Sequence, residues 1–172
     1  MESNNTLNEM FLKQMFDVGE SRVKFYDIPF VSYPARPMAI TIQTLSKDFN
    51  DKELFELAKS LGSDIVNEIS SQVEKLRKFL PDRLKSLFEL FQICGFGKIG
   101  SIQIEEKSNR VKIFVTNNPV IDYSKQLYGE NSKAGNFYCG LYSGILEKTN
   151  NLKILNLNKF KFTEKEYEFS NF

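Results

Sequence analysis

The longest regular pattern of hydrophobic positions predicts one long helix. It contains apolar residues at helical spacing over about seven turns: Leu54, Leu57, Ala58, Leu61, Ile65, Ile69, Val73 and Leu76. Asn50, with Glu53 three residues later, is a variant of the capping box and predicts where the helix begins. Gly62 lies inside it at a cost of about 1 kcal/mol relative to alanine, which indicates close packing against another element.

The pattern before this helix is less regular. Residues 1–20 are interpreted as a leader or a short amphipathic helix, whose apolar side is Leu7, Met10, Phe11, Met15 and Phe16. Residues 22–33 are rich in aromatic and β-branched residues and predict an extended segment, interrupted by Pro29. Between Met38 and Phe49, residue propensity favours a strand, whereas the length and spacing favour a helix, which is the interpretation adopted.

After the long helix, the pattern changes from helical spacing to alternation. Pro81 fits the first turn of another helix, and Gly95 fits its C-cap. The inner face of this helix comprises Leu84, Leu87, Phe88 and Phe91. Ile102 and Ile104 alternate with polar residues, and residues 110–116 form a second β pattern, so a hairpin is predicted.

Three glycines at the start of this hairpin have the spacing of a dinucleotide-binding motif. Gly95, Gly97 and Gly100 match G-x-G-x-x-G. The motif binds a pyrophosphate when a strand precedes it and a helix begins within it. Here the predicted order is helix, glycines and strand. We therefore interpret the glycines as a helix stop and a turn, and expect no cofactor there.

The last third of the chain predicts a loop, a helix and two closing strands. Residues 116–124 are interpreted as a loop, and residues 134–150 as a helix with Gly140 and Gly144 on one stripe. The strands are predicted at 152–157 and 167–169. The glycine stripe indicates close packing, with a dimer seam or a tunnel wall as alternatives. Together, the predicted helices and strands indicate one α+β domain over residues 21–172, with helices packed on one face of a twisted antiparallel sheet.

Composition and charge narrow the kinds of function. The formal net charge of +1 gives no general attraction to nucleic acid. The absence of histidine excludes Ser-His-Asp, Cys-His and HExxH chemistry. Cys94 and Cys139 have no metal-ligand spacing, so no metal site is expected, and Cys139 is interpreted as a small buried hydrophobe. The polar N-terminus lacks a signal-peptide pattern, and a cytoplasmic location is expected.

A basic run follows the long helix, over residues 74–88. Its cations are Lys75, Arg77, Lys78, Arg83 and Lys85. Such a run is usually a solvated face. Because phenylalanine and leucine interleave with the cations, a patch facing an acidic membrane surface or an acidic partner is the alternative.

Two local motifs resemble the small subunits of TRAPP, the transport protein particle that tethers vesicles, and the related 4-vinyl-reductase domain. They are NNPVIDY, residues 117–123, and CGLYSGILE, residues 139–147. The second resembles the family's Cys-Gly-x-x-x-Gly-x-Leu-Glu. The resemblance spans about residues 20–170, most of the chain, and residues 38–51 resemble the family's early helix and the loop that follows it. The matching residues are Asn118, Pro119, Asp122, Cys139, Gly140, Gly144 and Glu147.

The resemblance implies an α+β fold and two candidate functions. The first is a non-enzymatic homodimeric interaction module, an adaptor or scaffold of the vesicle-tethering type. Its partners would be itself or related subunits, a small GTPase regulator complex or a membrane surface to which it binds peripherally. The alternative is a sensor or carrier with an apolar ligand in a pocket lined by Phe88, Phe91, Phe137 and Leu141.

The chain also departs from these relatives. The region matching the acylated cysteine of one TRAPP subunit has no cysteine, and neither has the C-terminal region where sensor members bind zinc. The resemblance therefore implies neither covalent acylation nor a zinc site here. A reductase or other enzyme, as the second family's name would imply, is the third hypothesis. It ranks last because the glycine motif lacks its required context and the chain has no histidine.

Overall fold

The computed structural model describes part of the chain in two compact units, Met1–Tyr33 and Pro34–Phe172. For residues 69–76, residue 150 and the strands of the first unit, the description is of the backbone alone. The described residues are 16–19, 22–25, 28–30, 33–76, 91–92, 95–105, 108, 110–150, 157–162 and 166–172.

The first unit contains a three-stranded antiparallel sheet. Its strands are β1 (Phe16–Gly19), β2 (Arg22–Phe25) and β3 (Ile28–Phe30), in the order β1-β2-β3. The predicted extended segment is confirmed, but its predicted interruption at Pro29 is wrong, because Pro29 lies within β3 opposite Lys24. Of the two alternatives for residues 1–20, the short helix is wrong at Phe16, which lies in β1 opposite Phe25. Pairing with β2 satisfies backbone groups that an isolated helical turn would leave free, and so overrides the weak helical pattern.

Among the described residues, the second unit contains the helices α1 (Ala35–Asp48), α2 (Asp51–Leu76), α3 (Pro119–Tyr128) and α4 (Ala134–Asn150). Residues 91–92 and Gly129–Asn131 are helical as well. The helix adopted for residues 38–49 is confirmed as α1, which begins earlier because Pro37 is tolerated in a first turn. The capping box of α2 is also confirmed. The Asn50 side chain accepts the N–H groups of Lys52 and Glu53 at 3.0 and 3.1 Å. Glu53 accepts the Asn50 N–H at 2.9 Å.

The second unit also contains a four-stranded antiparallel sheet. Its strands are β4 (Lys98–Glu105), β5 (Arg110–Thr116), β6 (Lys159–Phe162) and β7 (Tyr167–Ser170), in the order β4-β5-β7-β6. Helices and this sheet confirm the predicted α+β class. The strand predicted at 152–157 does not include Leu157, which is buried before β6. Residues 152–156 lie outside the described residues.

Helices α2 and α4 pack at backbone contact, and glycines make this possible. A Cβ atom at Gly140 would lie 2.2 Å from the Phe55 carbonyl oxygen, and one at Gly144 would lie 2.0 Å from that of Lys59. At Gly62 the corresponding distance to the Leu141 carbonyl oxygen is 2.2 Å. The packing interpretation of all three glycines is confirmed. A dimer seam along Gly140 and Gly144 is wrong, because α2 of the same chain covers that stripe.

Candidate functional site

Asn118, a fully buried polar residue, lies where β5 leads into α3. The predicted loop ends at Asn118, because α3 begins at Pro119, and the prediction of a loop through residue 124 is wrong. The Asn118 Oδ1 accepts the N–H groups of Val120 and Ile121, both at 3.1 Å. Asparagine followed by proline is the N-cap and N1 pattern that indicates a helix start. That signal was in the sequence.

The segment with Gly95, Gly97 and Gly100, here called the glycine loop, supplies the Phe96 carbonyl to this junction. Phe96 O accepts hydrogen bonds from Asn118 Nδ2 at 3.0 Å and from Tyr142 Oη at 2.8 Å. Gly97 has φ of +93°, and a Cβ atom there would lie 2.7 Å from Val115 Cγ1. Gly95 has φ of +81°, and its N–H donates to Gln92 O at 3.1 Å. Helix, glycines and strand therefore follow in the predicted order.

Tyr138 is the unusual member of this junction. Its side chain is fully buried, and its hydroxyl has no hydrogen-bond acceptor among the described residues. Burial raises the pKa of the phenol well above its usual value, and the Asn118 side chain offsets part of that shift. A buried hydroxyl without a partner costs about 1–3 kcal/mol. We call Asn118, Tyr138, Tyr142 and the Phe96 carbonyl the core hydroxyl cluster.

Aromatic rings surround this cluster. The Tyr138 ring centroid lies 5.9 Å from that of Phe137 and 5.7 Å from that of Tyr142. The Tyr142 ring also packs edge-on against Phe169 at 5.0 Å. Sequence reasoning missed both tyrosines, although they lie four residues apart in the motif-bearing helix. The cluster therefore combines a spare hydroxyl proton with an apolar, aromatic setting.

Three of the four predicted pocket residues, Phe91, Phe137 and Leu141, lie in the core, and two of them adjoin the cluster. Phe137 contacts Tyr138, and Phe91 packs edge-on against Phe96 at 5.3 Å. Leu141 is buried, with its carbonyl against Gly62 of α2. Phe88 lies outside the described residues. These residues line neither of two clefts that described residues form, one beside Ile104 and Arg110 and one beside Lys125 and Phe162.

The remaining motif residues hold elements together. Asp122 accepts a hydrogen bond from the Tyr167 hydroxyl, which joins α3 to β7. Glu147 forms an ion pair with Lys59 at 2.8 Å, which joins α4 to α2. Cys139 is buried, as expected, and burial raises the pKa of its thiol to about 12. Its thiol therefore stays protonated near neutral pH and is a poor nucleophile.

The structure leaves most of the predicted basic patch undescribed. Lys75 lies in α2, where only the backbone is described. The other cations of the patch lie outside the described residues: Arg77, Lys78, Arg83 and Lys85. Cys94 also lies outside them. Over the helices that are described, none combines the length and apolarity needed to cross a membrane.

Comparisons with known proteins identify a shared fold. No family model matches the chain, and no curated protein matches its sequence. Among solved structures, the phenol-responsive sensory domain of the transcription activator PoxR, solved with phenol, superposes with a TM-score of 0.63. The two chains are 10% identical, and the match covers 97% of this chain and 88% of that one.

A second solved structure is a trafficking protein particle complex subunit 3 from Naegleria fowleri, covalently bound to palmitic acid. Its TM-score is 0.47 at 17% identity, over 79% of this chain and 93% of that one. Both likenesses are at low sequence identity. The likeness to the sensory domain establishes the fold of this chain but not its function, which has to be argued from the residues of the site.

Proposed function

We propose that this protein is a non-enzymatic sensor or carrier that binds a small, largely apolar molecule at the core hydroxyl cluster. The observation that carries the proposal is the Tyr138 hydroxyl, which is buried among aromatic rings and has no acceptor among the described residues. Native proteins rarely leave such a group unpaired, so a bound molecule that supplies the acceptor accounts for it.

The hydrogen bonds of the cluster define which polar group the ligand carries. Phe96 O already accepts two bonds, and Asn118 Oδ1 accepts two more, so both are saturated. The hydroxyl proton of Tyr138 is therefore the one in the cluster that lacks an acceptor among the described residues. The ligand therefore carries a hydrogen-bond acceptor, such as a phenolic or carbonyl oxygen, on an apolar body. The shared fold with a domain described as phenol-responsive supports this ligand class.

Substitution of the two core tyrosines tests the assignment of the spare proton. In protein refolded free of ligand, Tyr138→Phe is expected to leave the free energy of unfolding unchanged or to raise it by up to about 1 kcal/mol, because it removes an unpaired hydroxyl. Tyr142→Phe is the matched control. It removes a 2.8 Å hydrogen bond and is expected to cost about 1 kcal/mol. Urea denaturation followed by circular dichroism measures both.

The ligand adds a second measurement on the same variants. With phenol as the probe, we expect saturable binding to the wild type and at least about fivefold weaker binding to Tyr138→Phe, as loss of one hydrogen bond predicts. Equal destabilisation by the two substitutions, or equal phenol affinity in wild type and Tyr138→Phe, would show that Tyr138 does not donate to a ligand of this class.

The interaction module is the second candidate, and one surface favours it. Leu57 and Leu61 lie one turn apart on α2 and are 42% and 40% exposed. The buried residues Leu54 and Ala58 lie on the neighbouring stripe of the same helix, so the leucine pair borders the buried face. A homodimer, or a complex with related subunits of the TRAPP type, would cover this α2 leucine pair. A GTPase-regulator complex and an acidic membrane surface are further partners of this hypothesis.

A charge-matched pair of variants tests the α2 leucine pair. The hypothesis predicts that the wild type sediments as a dimer and that Leu57→Glu/Leu61→Glu sediments as a monomer. Lys52→Glu changes the net charge by the same two units on an exposed position of the same helix, and is expected to remain dimeric. Sedimentation equilibrium measures the masses. A monomeric wild type, or a double variant that stays dimeric, would argue against this surface.

A further inference from the structure

A lysine of α3 lies over three aromatic rings at the far edge of the sheet. The Lys125 Nζ is 3.3 Å from the ring centroid of Phe162, 5.4 Å from that of Tyr167 and 6.0 Å from that of Phe160. We call Phe160, Phe162 and Tyr167 the aromatic cage. A cation within about 6 Å of a ring centroid is attracted by the quadrupole of that ring.

Packing fixes the cage from behind. The Tyr167 ring lies 5.8 Å from that of Phe160, nearly parallel, and 5.1 Å from that of Phe162. Phe160 rests against Gly135 of α4, where a Cβ atom would lie 2.3 Å from Phe160 Cδ1. The Tyr167 hydroxyl is held by Asp122. The rings are therefore positioned before any ligand arrives, which reduces the ordering cost of binding.

The front of the cage opens to solvent. Phe162 is 49% exposed and, with Lys125 and Glu130, borders an open cleft of about 570 Å³. Lys161 is the other cation of this cleft. Burial lowers the pKa of Lys125, and the carboxylates of Glu130 and Asp122 attract the ammonium and partly oppose this lowering. The cleft is large enough for a small organic molecule.

We propose that the aromatic cage is a binding site for a small quaternary ammonium ion, whose place Lys125 occupies in the free protein. The Lys125 ammonium lies over the face of Phe162 and within 6.0 Å of the other two ring centroids, so these rings already attract one positive charge. The site is independent of the core hydroxyl cluster, because it shares no residue with it and takes a ligand of opposite character.

Hydration explains why a quaternary ammonium displaces the tethered lysine. The pKa of Lys125 is lowered chiefly by partial burial, and the carboxylates of Glu130 and Asp122 only partly oppose this. The primary ammonium is strongly hydrated, and the ring faces of Phe160 and Phe162 offer no acceptor for its three N–H donors. A quaternary ammonium has no N–H group to leave unpaired. Displaced Lys125 regains water and stays near Glu130.

Titration with choline and with its neutral carbon analogue, 3,3-dimethylbutan-1-ol, tests the proposal. Isothermal calorimetry would compare the full-length wild type with Lys125→Ala, Lys161→Ala and Phe162→Ala. Lys161→Ala is the charge-matched control, because it removes one positive charge from the same cleft without emptying the cage. Phe162 is half-exposed, so its truncation leaves the core intact, which thermal unfolding checks.

The proposal predicts a specific order of affinities. Lys125→Ala is expected to bind choline at least about tenfold more tightly than the wild type does. The same variant is expected to bind choline at least about fivefold more tightly than it binds the neutral analogue. Phe162→Ala is expected to bind choline at least about fivefold more weakly than the wild type. An equal gain in Lys161→Ala would assign the effect to net charge alone. That result, or equal binding of the neutral analogue, would overturn the proposal.

Discussion

Replacing Gly144 with alanine is expected to reduce the free energy of unfolding by at least about 3 kcal/mol, at the upper end of overpacking effects. The added Cβ atom would lie 2.0 Å from the Lys59 carbonyl oxygen and 2.9 Å from the Ser63 nitrogen. Both atoms belong to the backbone of α2, so no side-chain rotation relieves the contact. The helices would have to separate along the Gly62, Gly140 and Gly144 contact. Urea denaturation monitored at 222 nm would measure the change.

Gly100→Ala is the control for this substitution. Gly100 lies in β4, and a Cβ atom there would meet only the Phe114 carbonyl oxygen, at 3.7 Å, an ordinary contact distance. We expect its effect to stay below about 1 kcal/mol, as for most substitutions without a specific clash. A Gly144→Ala protein as stable as Gly100→Ala would show that α2 and α4 are not in backbone contact.

Replacing Asn118 with alanine is expected to reduce the free energy of unfolding by about 3 kcal/mol, because a helix cap and a buried hydrogen bond are lost together. The substitution leaves the N–H groups of Val120 and Ile121 without their shared acceptor in the core. It also removes one of the two donors to Phe96 O. The stability of α3 and the position of the glycine loop both depend on this side chain.

A second asparagine N-cap provides the comparison. Asn50 caps α2 with the same two-bond geometry, but at an exposed position where water replaces the lost bonds. Asn50→Ala is therefore expected to cost only about 1 kcal/mol. Chemical denaturation of both variants would separate burial from capping. Equal losses at the two positions would mean that the buried surroundings of Asn118 add nothing.

The elements that the sequence predicted well are those defined by local chemistry. The capping box located the start of α2, and the glycine at 95 located a helix end, because these signals involve neighbours along the chain. Helix α3 was missed because residues 116–124 are rich in turn formers, although the Asn118-Pro119 pair marks a helix start. The strand predicted at 152–157 does not include Leu157, and β6 at Lys159–Phe162 was not predicted, since short apolar runs do not fix strand boundaries.

Long-range contacts explain what the sequence could not supply. The close spacing of Gly140 and Gly144 predicted a tight contact, but only the fold shows that α2 is the partner. Tyr138 and Tyr142 have the same residue type and helical spacing, so no pattern distinguishes the bonded hydroxyl from the unbonded one. That difference arises from Phe96, which is 46 residues from Tyr142 in the chain.

This difference also changes the order of the functional hypotheses. The sequence favoured an interaction module, partly because the glycine stripe could form a dimer seam. The stripe is instead covered by α2 within the chain. The Tyr138 hydroxyl proton, which has no acceptor among the described residues, is the reason why we propose ligand binding first, with the α2 leucine pair as the surface of the alternative.

Native mass spectrometry of freshly purified protein tests the ligand proposal most directly. The spectrum would be recorded under native and then denaturing conditions, for the wild type and for Tyr138→Phe. The account predicts an added mass of small-molecule size on the native wild type, lost on denaturation and diminished in Tyr138→Phe. Bare chains under native conditions, or an added mass equally present in both proteins, would contradict ligand binding at the core hydroxyl cluster.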